Sequence, residues 1–159
     1  VCFPGIMYRG GAEQKIRKYL VQNNYVDTII QLPSNLFFGA TIATCIIVLK
    51  KNKSDNRVCF IDASQEFVHE GNKNKLSPDN IKRIHDAYAA KRDEDHFSKL
   101  IENIAIADND YNLSVSSYIE KQDKKEAVDI DALNREIEQI VARENELRAA
   151  IDKIIGKLT

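Results

Sequence analysis

The sequence predicts an α/β fold, because strand-like and helix-like segments alternate over its first 64 residues. An apolar stretch at 1–3 resembles the end of a buried strand, and Pro4 and Gly5 break it before a helical pattern begins. Segments 25–33 and 43–51 are rich in β-branched and aromatic residues, which is typical of strands. We expect the segments at 1–3 and 25–33, which a helix separates, to run parallel.

The segment 10–24 predicts a short amphipathic helix that stops at Asn23 and Asn24. Arg17 and Lys18 fall on the polar side of this helix, where we expect a solvated face. The apolar positions follow helical spacing, and they are Ala12, Ile16, Tyr19 and Leu20.

The segment at 43–51 is a near-continuous apolar run, the pattern of a strand buried on both faces. The loop before it is too short for a parallel return, which takes roughly a dozen residues or more. It must therefore pair antiparallel with the strand at 25–33. Segment 57–64 adds a further strand after a polar turn, so the sequence predicts an α/β sheet with an antiparallel strand near its edge.

The chain changes in character after residue 64. A polar loop at 70–75 precedes a helix in which Ser77 is the N-cap and Pro78 the first helical residue. A charged stretch at 91–95 ends this helix, and residues 97–119 mix short apolar runs with Asn and Asp turns that predict no regular structure. The predicted apolar face of the helix consists of Ile81, Ile84 and Tyr88.

Apolar residues recur at heptad spacing within 130–159 and predict a coiled-coil helix. The alternative is a helix that lies on the core of its own domain, but a narrow stripe suits a helical partner better. The seam is interrupted by Glu144 and consists of Leu133, Ile137, Ile140, Leu147, Ile151, Ile154 and Leu158. With a charged linker before the helix, the predicted divisions are 1–64, a mixed helical extension at 65–120, the linker at 121–129 and the helix at 130–159.

Composition and charge exclude several classes of protein. No apolar window approaches the roughly 18 residues of a membrane span, and the sequence predicts a soluble, cytoplasmic protein. Residues 1–60 carry a net charge of +5 and residues 61–159 a net charge of −6, which is more typical of solvated surface than of a nucleic-acid footprint. Because the chain starts inside an apolar segment and its only methionine is Met7, we expect a piece of a longer protein.

The residues contain no convincing catalytic constellation. Gly10 and Gly11 precede a helix without a G-x-G-x-x-G or Walker pattern, so they predict a tight turn. The three histidines have no partner four residues away and are interpreted as surface residues: His69, His85 and His96. The three cysteines lie in apolar runs without a C-x-x-C pair and are interpreted as buried free thiols: Cys2, Cys45 and Cys59.

The loop between the strands at 25–33 and 43–51 is unusually apolar, with the sequence LPSNLFFGATIATC over residues 32–45. Together with PGIMYRGG and IRKYL earlier in the chain, it resembles the catalytic domain of the modification subunits of type I restriction-modification systems, which are adenine methyltransferases. The resemblance continues through FIDAS and ADNDYNLSVSSYI, and it extends over roughly residues 1–120.

This resemblance implies half of a Rossmann-like sheet in which a hairpin inserts the final strand antiparallel. It also implies a parent enzyme that transfers a methyl group from S-adenosylmethionine to N6 of an adenine flipped out of duplex DNA. The family binds the cofactor at a glycine-rich turn and positions the amino group with Asn/Asp-Pro-Pro-Phe/Tyr. Neither motif is present here, and the three prolines are not adjacent. We therefore expect this chain alone to bind no cofactor, to hold no catalytic residue or metal, and to be inactive.

The resemblance places the loop after residue 33 near the DNA-facing rim of the enzyme. The residues it nominates for DNA contact are Arg9, Asn35, Phe37, Phe38 and Thr41. The alternative for the two phenylalanines is that they plug the hairpin onto its own sheet while Gly39 makes the turn, and we expect this packing role first.

The resemblance also implies the partners. They are DNA, a specificity subunit, a second modification subunit and, in the full complex, a restriction subunit. The heptad seam would dock on the long helices of the specificity subunit, which predicts poor burial and possible self-association in isolation. The competing interpretation is a non-catalytic α/β interaction module that assembles through its coiled-coil helix. A nicotinamide-binding fragment has little support, because the antiparallel hairpin and the Phe-Phe-Gly loop are not features of that fold.

Overall fold

A computed structural model describes residues 1–39, 41–120, 135, 137–145, 147 and 148, and within them a mixed α/β fold is built on a four-stranded sheet. The strands are β1 (Val26–Gln31), β2 (Cys45–Leu49), β3 (Arg57–Asp62), β4 (Val68–Glu70), β5 (Lys73–Lys75) and β6 (Ser98–Glu102). The helices are α1 (Ala12–Gln22), α2 (Pro78–Ala90) and α3 (Asn103–Asp108), with short 3-10 turns at Pro4–Met7 and Val115–Ser117. The chain divides into two compact units, Val1–Gln122 and Asp123–Thr159.

The strand order of the main sheet is β2-β1-β3-β6. The predicted antiparallel pairing of β1 with β2 is confirmed, and β1 also pairs parallel with β3. The prediction of a strand at 1–3 that runs parallel to the strand at 25–33 is wrong. Only Cys2 pairs, through one antiparallel bridge to Cys45 of β2, because Pro4 opens a 3-10 turn directly afterwards. In the described part of the sheet, β2 therefore lies between Cys2 and β1.

The core fills both faces of the sheet, since successive residues of a strand point to opposite faces. Ile29 and Phe60 belong to a cluster that packs under α1 and α3. Ile30 and Ile61 belong to a second cluster, which Ile84 of α2 covers. Each fully buried aliphatic or aromatic side chain contributes roughly 1.5–3 kcal/mol to stability. The sheet is thus the rigid platform from which the loops project.

The helix α1 forms where predicted, but its buried face is different. Arg17, predicted to lie on the polar side, is only 5% exposed. Its Nε donates to the carbonyl oxygen of Tyr111 at 2.8 Å and its Nη1 to that of Ile6 at 2.7 Å. These two acceptors make burial of the guanidinium tolerable. Ile16 and Tyr19, predicted to face the core, are exposed instead.

The caps of α2 confirm the prediction made from Ser77 and its following proline. The Ser77 hydroxyl accepts from the Asn80 amide at 3.2 Å, and Asn80 Oδ1 accepts from the Ser77 amide at 3.0 Å, which is a reciprocal capping box. The helix ends where the charged stretch begins, with Lys91 in the left-handed conformation at φ 43°. Ile84 is buried as predicted, whereas Ile81 is exposed.

Strand β2 is less buried than its apolar sequence predicts. Cys45 is buried, but Ile46 and Val48 are half-buried and Leu49 is exposed. The reason is that α2 packs on β3 and leaves a groove of about 260 Å³ beside β2, lined by Ile46, Val48 and Tyr88 among others. Strand β6 and helix α3 arise in the stretch for which no structure was predicted, because pairing with β3 orders it.

The described C-terminal residues, 135, 137–145, 147 and 148, are helical and exposed. Within this group Ile137, Ile140 and Leu147 expose more than half of their surface, as the seam prediction requires. Glu144, which interrupts the seam, pairs with Arg148 at 2.8 Å. The coiled coil itself stays a prediction, since four seam positions lie outside the described residues: Leu133, Ile151, Ile154 and Leu158.

Where the structure describes the chain, no helix has the length and apolar character needed to cross a bilayer.

Candidate nucleic-acid interface

The apolar loop leaves the sheet at the carboxyl end of β1 and returns at the start of β2. Two backbone hydrogen bonds close it: Leu32 N donates to the Thr44 oxygen at 2.8 Å, and Asn35 N donates to the Thr41 oxygen at 3.2 Å. Asn35 and Gly39 both have positive φ, at 56° and 74°. The predicted turn at Gly39 is thus confirmed, and a β-carbon there would strain the backbone.

The two phenylalanines do not plug the hairpin onto its sheet. Phe38 is 97% exposed and Phe37 is 42% exposed, so the packing role expected first is wrong for Phe38 and incomplete for Phe37. Leu36 takes that role instead and packs against the cluster beneath α2. With the half-buried Leu36 as its apolar anchor, the loop can project Phe38 into solvent. Phe37 and Phe38 are adjacent large apolar side chains exposed on one loop, and clustered exposed apolar surface points to a contact with another molecule.

A second element, the hairpin of β4 and β5, packs against this loop. Asn35 Nδ2 donates to the Asn72 oxygen at 2.6 Å, so its amide is already engaged within the chain. Asn74 donates twice to the loop, from its backbone amide to the Asn35 oxygen at 3.1 Å and from Nδ2 to the Ser34 oxygen at 2.9 Å. Thr41, also nominated for DNA contact, is exposed on the loop.

Lys73 of this hairpin is a residue that the sequence reasoning missed. Its Nζ donates to the Phe37 oxygen at 3.3 Å and lies 4.7 Å from the centre of the Phe38 ring. An ammonium group at this distance from an aromatic face is attracted to it. The signal available in the sequence was the alternation of Lys and Asn in EGNKNK, which predicts only a polar loop unless the partner loop is known.

Arg9 belongs to the turn before α1 and not to this loop. Its side chain is exposed and folds back over Gly5, where an added β-carbon would lie 3.1 Å from Arg9 Nε. Of the next two residues, Gly11 is explained by the backbone, because it is the N-cap of α1 and has a φ of 76°. The predicted tight turn is confirmed at Gly11, which lies in a turn.

The opposite end of β1 holds a buried ion pair. Asp27, 1% exposed, accepts from the Lys91 ammonium and from the Thr28 hydroxyl, the latter at 3.1 Å. Burial by itself raises the pKa of Asp27, but the hydrogen bonds from Lys91 and Thr28 and the positive charge of Lys91 outweigh it and hold the pKa below its ordinary value. Asp27 is thus ionised at neutral pH and serves the fold.

Among the described residues, the two buried cysteine thiols are held in their protonated, unreactive form. Burial raises the pKa of Cys45 to about 12 and that of Cys59 to about 11, which keeps both thiols protonated. Both are buried and free as predicted, whereas Cys2 is half-buried. The three histidines are exposed, as expected, and the described residues contain no group of His, Cys, Asp and Glu that could hold a metal ion.

Comparison with known proteins shows what this arrangement is similar to. Residues 1–127 match the family described as N-6 DNA Methylase. The chain is 49% identical to the Type I restriction enzyme MpnII methylase subunit of Mycoplasma pneumoniae, over 98% of this chain and 29% of that protein. It is 36% identical to the Type I restriction enzyme MjaVII methylase subunit of Methanocaldococcus jannaschii, over 96% of this chain and 27% of that protein.

A solved structure shares the fold. The crystal structure of the type I restriction-modification system methyltransferase subunit from Streptococcus thermophilus superposes with a TM-score of 0.72 and 42% identity, over 74% of this chain and 25% of that one. The chain thus spans between a quarter and three tenths of the length of these relatives. Since the family match extends over 127 of the 159 residues, the chain belongs to the N-6 DNA methylase family and resembles the methylase subunits of type I restriction enzymes.

Proposed function

We propose that this chain is part of a type I restriction-modification methylase subunit that transfers a methyl group from S-adenosylmethionine to N6 of adenine in DNA. The observation that carries the proposal is Phe38, which a loop at the carboxyl edge of the sheet presents to solvent with 97% of its surface exposed. The family membership supplies the class of reaction. A cytoplasmic location belongs to the same proposal.

The role proposed for Phe38 follows from the chemistry of its substrate. An enzyme that modifies a base must extrude that base from the duplex and hold it by stacking and by hydrogen bonds. A phenylalanine ring that makes little contact with its own protein has its face available for such stacking. Phe37 and Thr41 lie on the same loop and would contact the extruded nucleotide or its neighbours, and Arg9 would contact a phosphate.

The residues of this chain do not fit the cofactor. Gly10 and Gly11 are the one pair of adjacent glycines in the sequence, and Gly11 is required by the backbone at the start of α1. The sequence contains no Asn/Asp-Pro-Pro motif. In the proposed enzyme the cofactor is held by other parts of the methylase subunit, and this chain alone is inactive and contributes the DNA side of the site.

The sheet supports a Rossmann-like methyltransferase architecture. Strand β2 lies antiparallel between Cys2 and β1, which is the arrangement expected when a hairpin inserts the final strand. We assign 1–64 to the later half of the catalytic domain, 65–120 to its extension, 121–129 to a linker and 130–159 to a coiled-coil helix. The exposed Ile137, Ile140 and Leu147 support docking of this helix on a specificity subunit.

Methyl transfer by the complete methylase subunit, assembled with its specificity subunit, tests the catalytic proposal. We expect Phe38→Ala to lower kcat/KM about 5- to 150-fold, since stacking of one base on an aromatic side chain is worth about 1–3 kcal/mol. Phe38→Trp should retain most activity. Ile42→Ala is the matched control, because Ile42 is an exposed apolar residue of the same loop.

The outcomes separate the two halves of the proposal. If the unaltered complex transfers no methyl group to any adenine, the methyltransferase function is wrong and the non-catalytic interaction module becomes the better interpretation. If Phe38→Ala behaves like Ile42→Ala in an active complex, the function stands and the role of the loop is wrong.

Assembly has its own test. Ile140→Asp should abolish co-elution of the methylase subunit with its specificity subunit, because a charge at the seam cannot be desolvated against an apolar helix. Gln139→Asp, on the neighbouring exposed position, should leave the complex intact. Equal co-elution of both variants would contradict the docking surface proposed for this helix.

A further inference from the structure

The hairpin of β4 and β5 is built unlike the rest of the α/β unit. Its two strands have three residues each, all three residues of β4 are exposed, and β5 is at most half-buried. Hairpins of this size are marginal by themselves and need contacts with another element. Because it buries little apolar surface, its contribution to the core does not explain its presence.

Its polar contacts with the candidate loop are reciprocal. Asn74 holds two successive carbonyl groups of the loop, those of Ser34 and Asn35, at 2.9 and 3.1 Å. In return, the Asn35 side chain donates to the Asn72 oxygen at 2.6 Å. Three hydrogen bonds in both directions fix the hairpin and the start of the loop as one unit. Asn35 adopts its left-handed backbone conformation inside this network, two residues before Phe37.

Lys73 extends the network to the aromatic residues themselves. The residues of the hairpin pair as Glu70 with Lys73 and Val68 with Lys75. The Lys75 ammonium binds Glu70 at 2.9 Å, whereas the Lys73 ammonium reaches the Phe37 oxygen and the ring of Phe38. The two lysines of this short strand thus have different partners, and the Lys73 ammonium is the one that lies over the Phe38 ring, 4.7 Å from its centre.

We propose that this hairpin is the positioning element of the base-stacking loop, with Asn74 and Lys73 as positioning residues that act through Phe38. The inference rests on the proposed function, because it assigns these residues to presentation of the extruded adenine. Asn74 fixes the loop at its base, and Lys73 restricts the rotation of the Phe38 ring and leaves its other face for the nucleobase. Loss of either contact lets the ring move, and small displacements of a positioning group can lower a rate by up to about 100-fold.

A double-mutant cycle on the complete methylase subunit tests this role. We expect Asn74→Ala and Lys73→Met each to lower kcat about 10-fold with the KM for S-adenosylmethionine unchanged, and Lys73→Arg to recover most of the loss. In a Phe38→Ala background neither substitution should lower kcat further, because each acts through the ring that is already absent. Lys75→Met is the matched control on the same strand and should leave kcat unchanged.

The cycle distinguishes this inference from the function on which it rests. If Phe38→Ala lowers kcat but Asn74→Ala and Lys73→Met do not, the positioning role is overturned and the function stands. The positioning role would also be overturned if Asn74→Ala or Lys73→Met lowered kcat by the same factor in the Phe38→Ala background as in the unaltered protein, since that would show an effect independent of the ring. If Phe38→Ala leaves kcat unchanged, both the proposed role of the loop and this inference are wrong.

Discussion

The two ends of strand β1 are constructed for different purposes. At its amino end Asp27 is 1% exposed, and its carboxylate accepts from Lys91 and Thr28. At its carboxyl end, roughly 16 Å along the strand, the loop exposes Phe38 almost completely. One end buries a charge and pairs it. The other end exposes an aromatic ring, and its polar groups hydrogen-bond within the loop and its supporting hairpin.

Burial leads to different expectations for the two residues. A buried carboxylate with two partners is expected to contribute to stability, so its removal should destabilise the fold. An exposed ring contributes little to stability, so its removal should change contacts with a partner molecule more than folding. Both ends belong to one strand, so the difference can be measured within one protein.

The largest expected effect on stability is at the buried pair. Lys91→Met leaves the Asp27 carboxylate buried without its ammonium partner, and we expect it to lower the free energy of opening of β1 by about 2 kcal/mol. This figure lies below the full cost of a broken buried pair, because the Lys91 side chain is 34% exposed. Hydrogen exchange of the β1 amides in the complete subunit measures it.

Lys82→Met provides the control for this substitution. Lys82 lies on α2, the helix that Lys91 caps, and it is exposed, so the control removes a lysine without leaving a buried charge unpaired. Equal exchange rates in the two variants would show that the Asp27 pair adds nothing to the stability of β1.

The pH dependence of the buried pair should weaken in the same variant. The pKa of Asp27 lies below its ordinary value of 3.8, so the stabilisation is complete above about pH 4 and is lost as the pH falls through the lower folded value. In Lys91→Met the hydrogen bond and the charge of Lys91 no longer lower this pKa, while burial still raises it and Thr28 and Lys50 still lower it. The variant should therefore lose less stability in β1 below about pH 4 than the unaltered protein, as measured by exchange of the β1 amides after correction for the intrinsic rate. An equal loss in both proteins would contradict the assigned pairing.

The smallest expected effect on stability is at the other end. Phe38→Ala should change the free energy of opening of β1 by no more than about 0.5 kcal/mol, since the ring packs on little of its own chain. The same exchange experiment measures it alongside Lys91→Met. A loss above about 1 kcal/mol would show that the ring packs on the sheet after all.

Local sequence signals predicted the elements that depend on neighbouring residues. The β-branched runs gave β1 and β2 with their antiparallel pairing, and Ser77 with the following proline located the start of α2. The helical pattern did not predict the burial of Arg17, because its acceptors, Ile6 and Tyr111, lie 11 and 94 residues away. No periodicity within α1 can reveal carbonyl groups supplied by other segments.

The sequence singled out the candidate loop but not the residues that support it. The Phe-Phe-Gly loop was singled out from its apolar residues, yet the packing role assigned to Phe38 belongs to Leu36. Lys73 and Asn74 come from a hairpin more than thirty residues later, and their contacts with the loop are long-range. Composition shows that such residues are polar, whereas only the fold shows which backbone they hold.

Fluorescence of 2-aminopurine at the target adenine tests the central claim that Phe38 stacks on the extruded base. The complete methylase subunit with its specificity subunit is bound to the labelled duplex, and unaltered protein is compared with Phe38→Ala and Ile42→Ala. We predict that binding of the unaltered protein changes the fluorescence of the labelled duplex. The complex with Phe38→Ala should fluoresce more strongly than the complex with unaltered protein, because an aromatic quencher is removed. The complex with Ile42→Ala should match the complex with unaltered protein. Identical fluorescence in all three complexes would contradict the account.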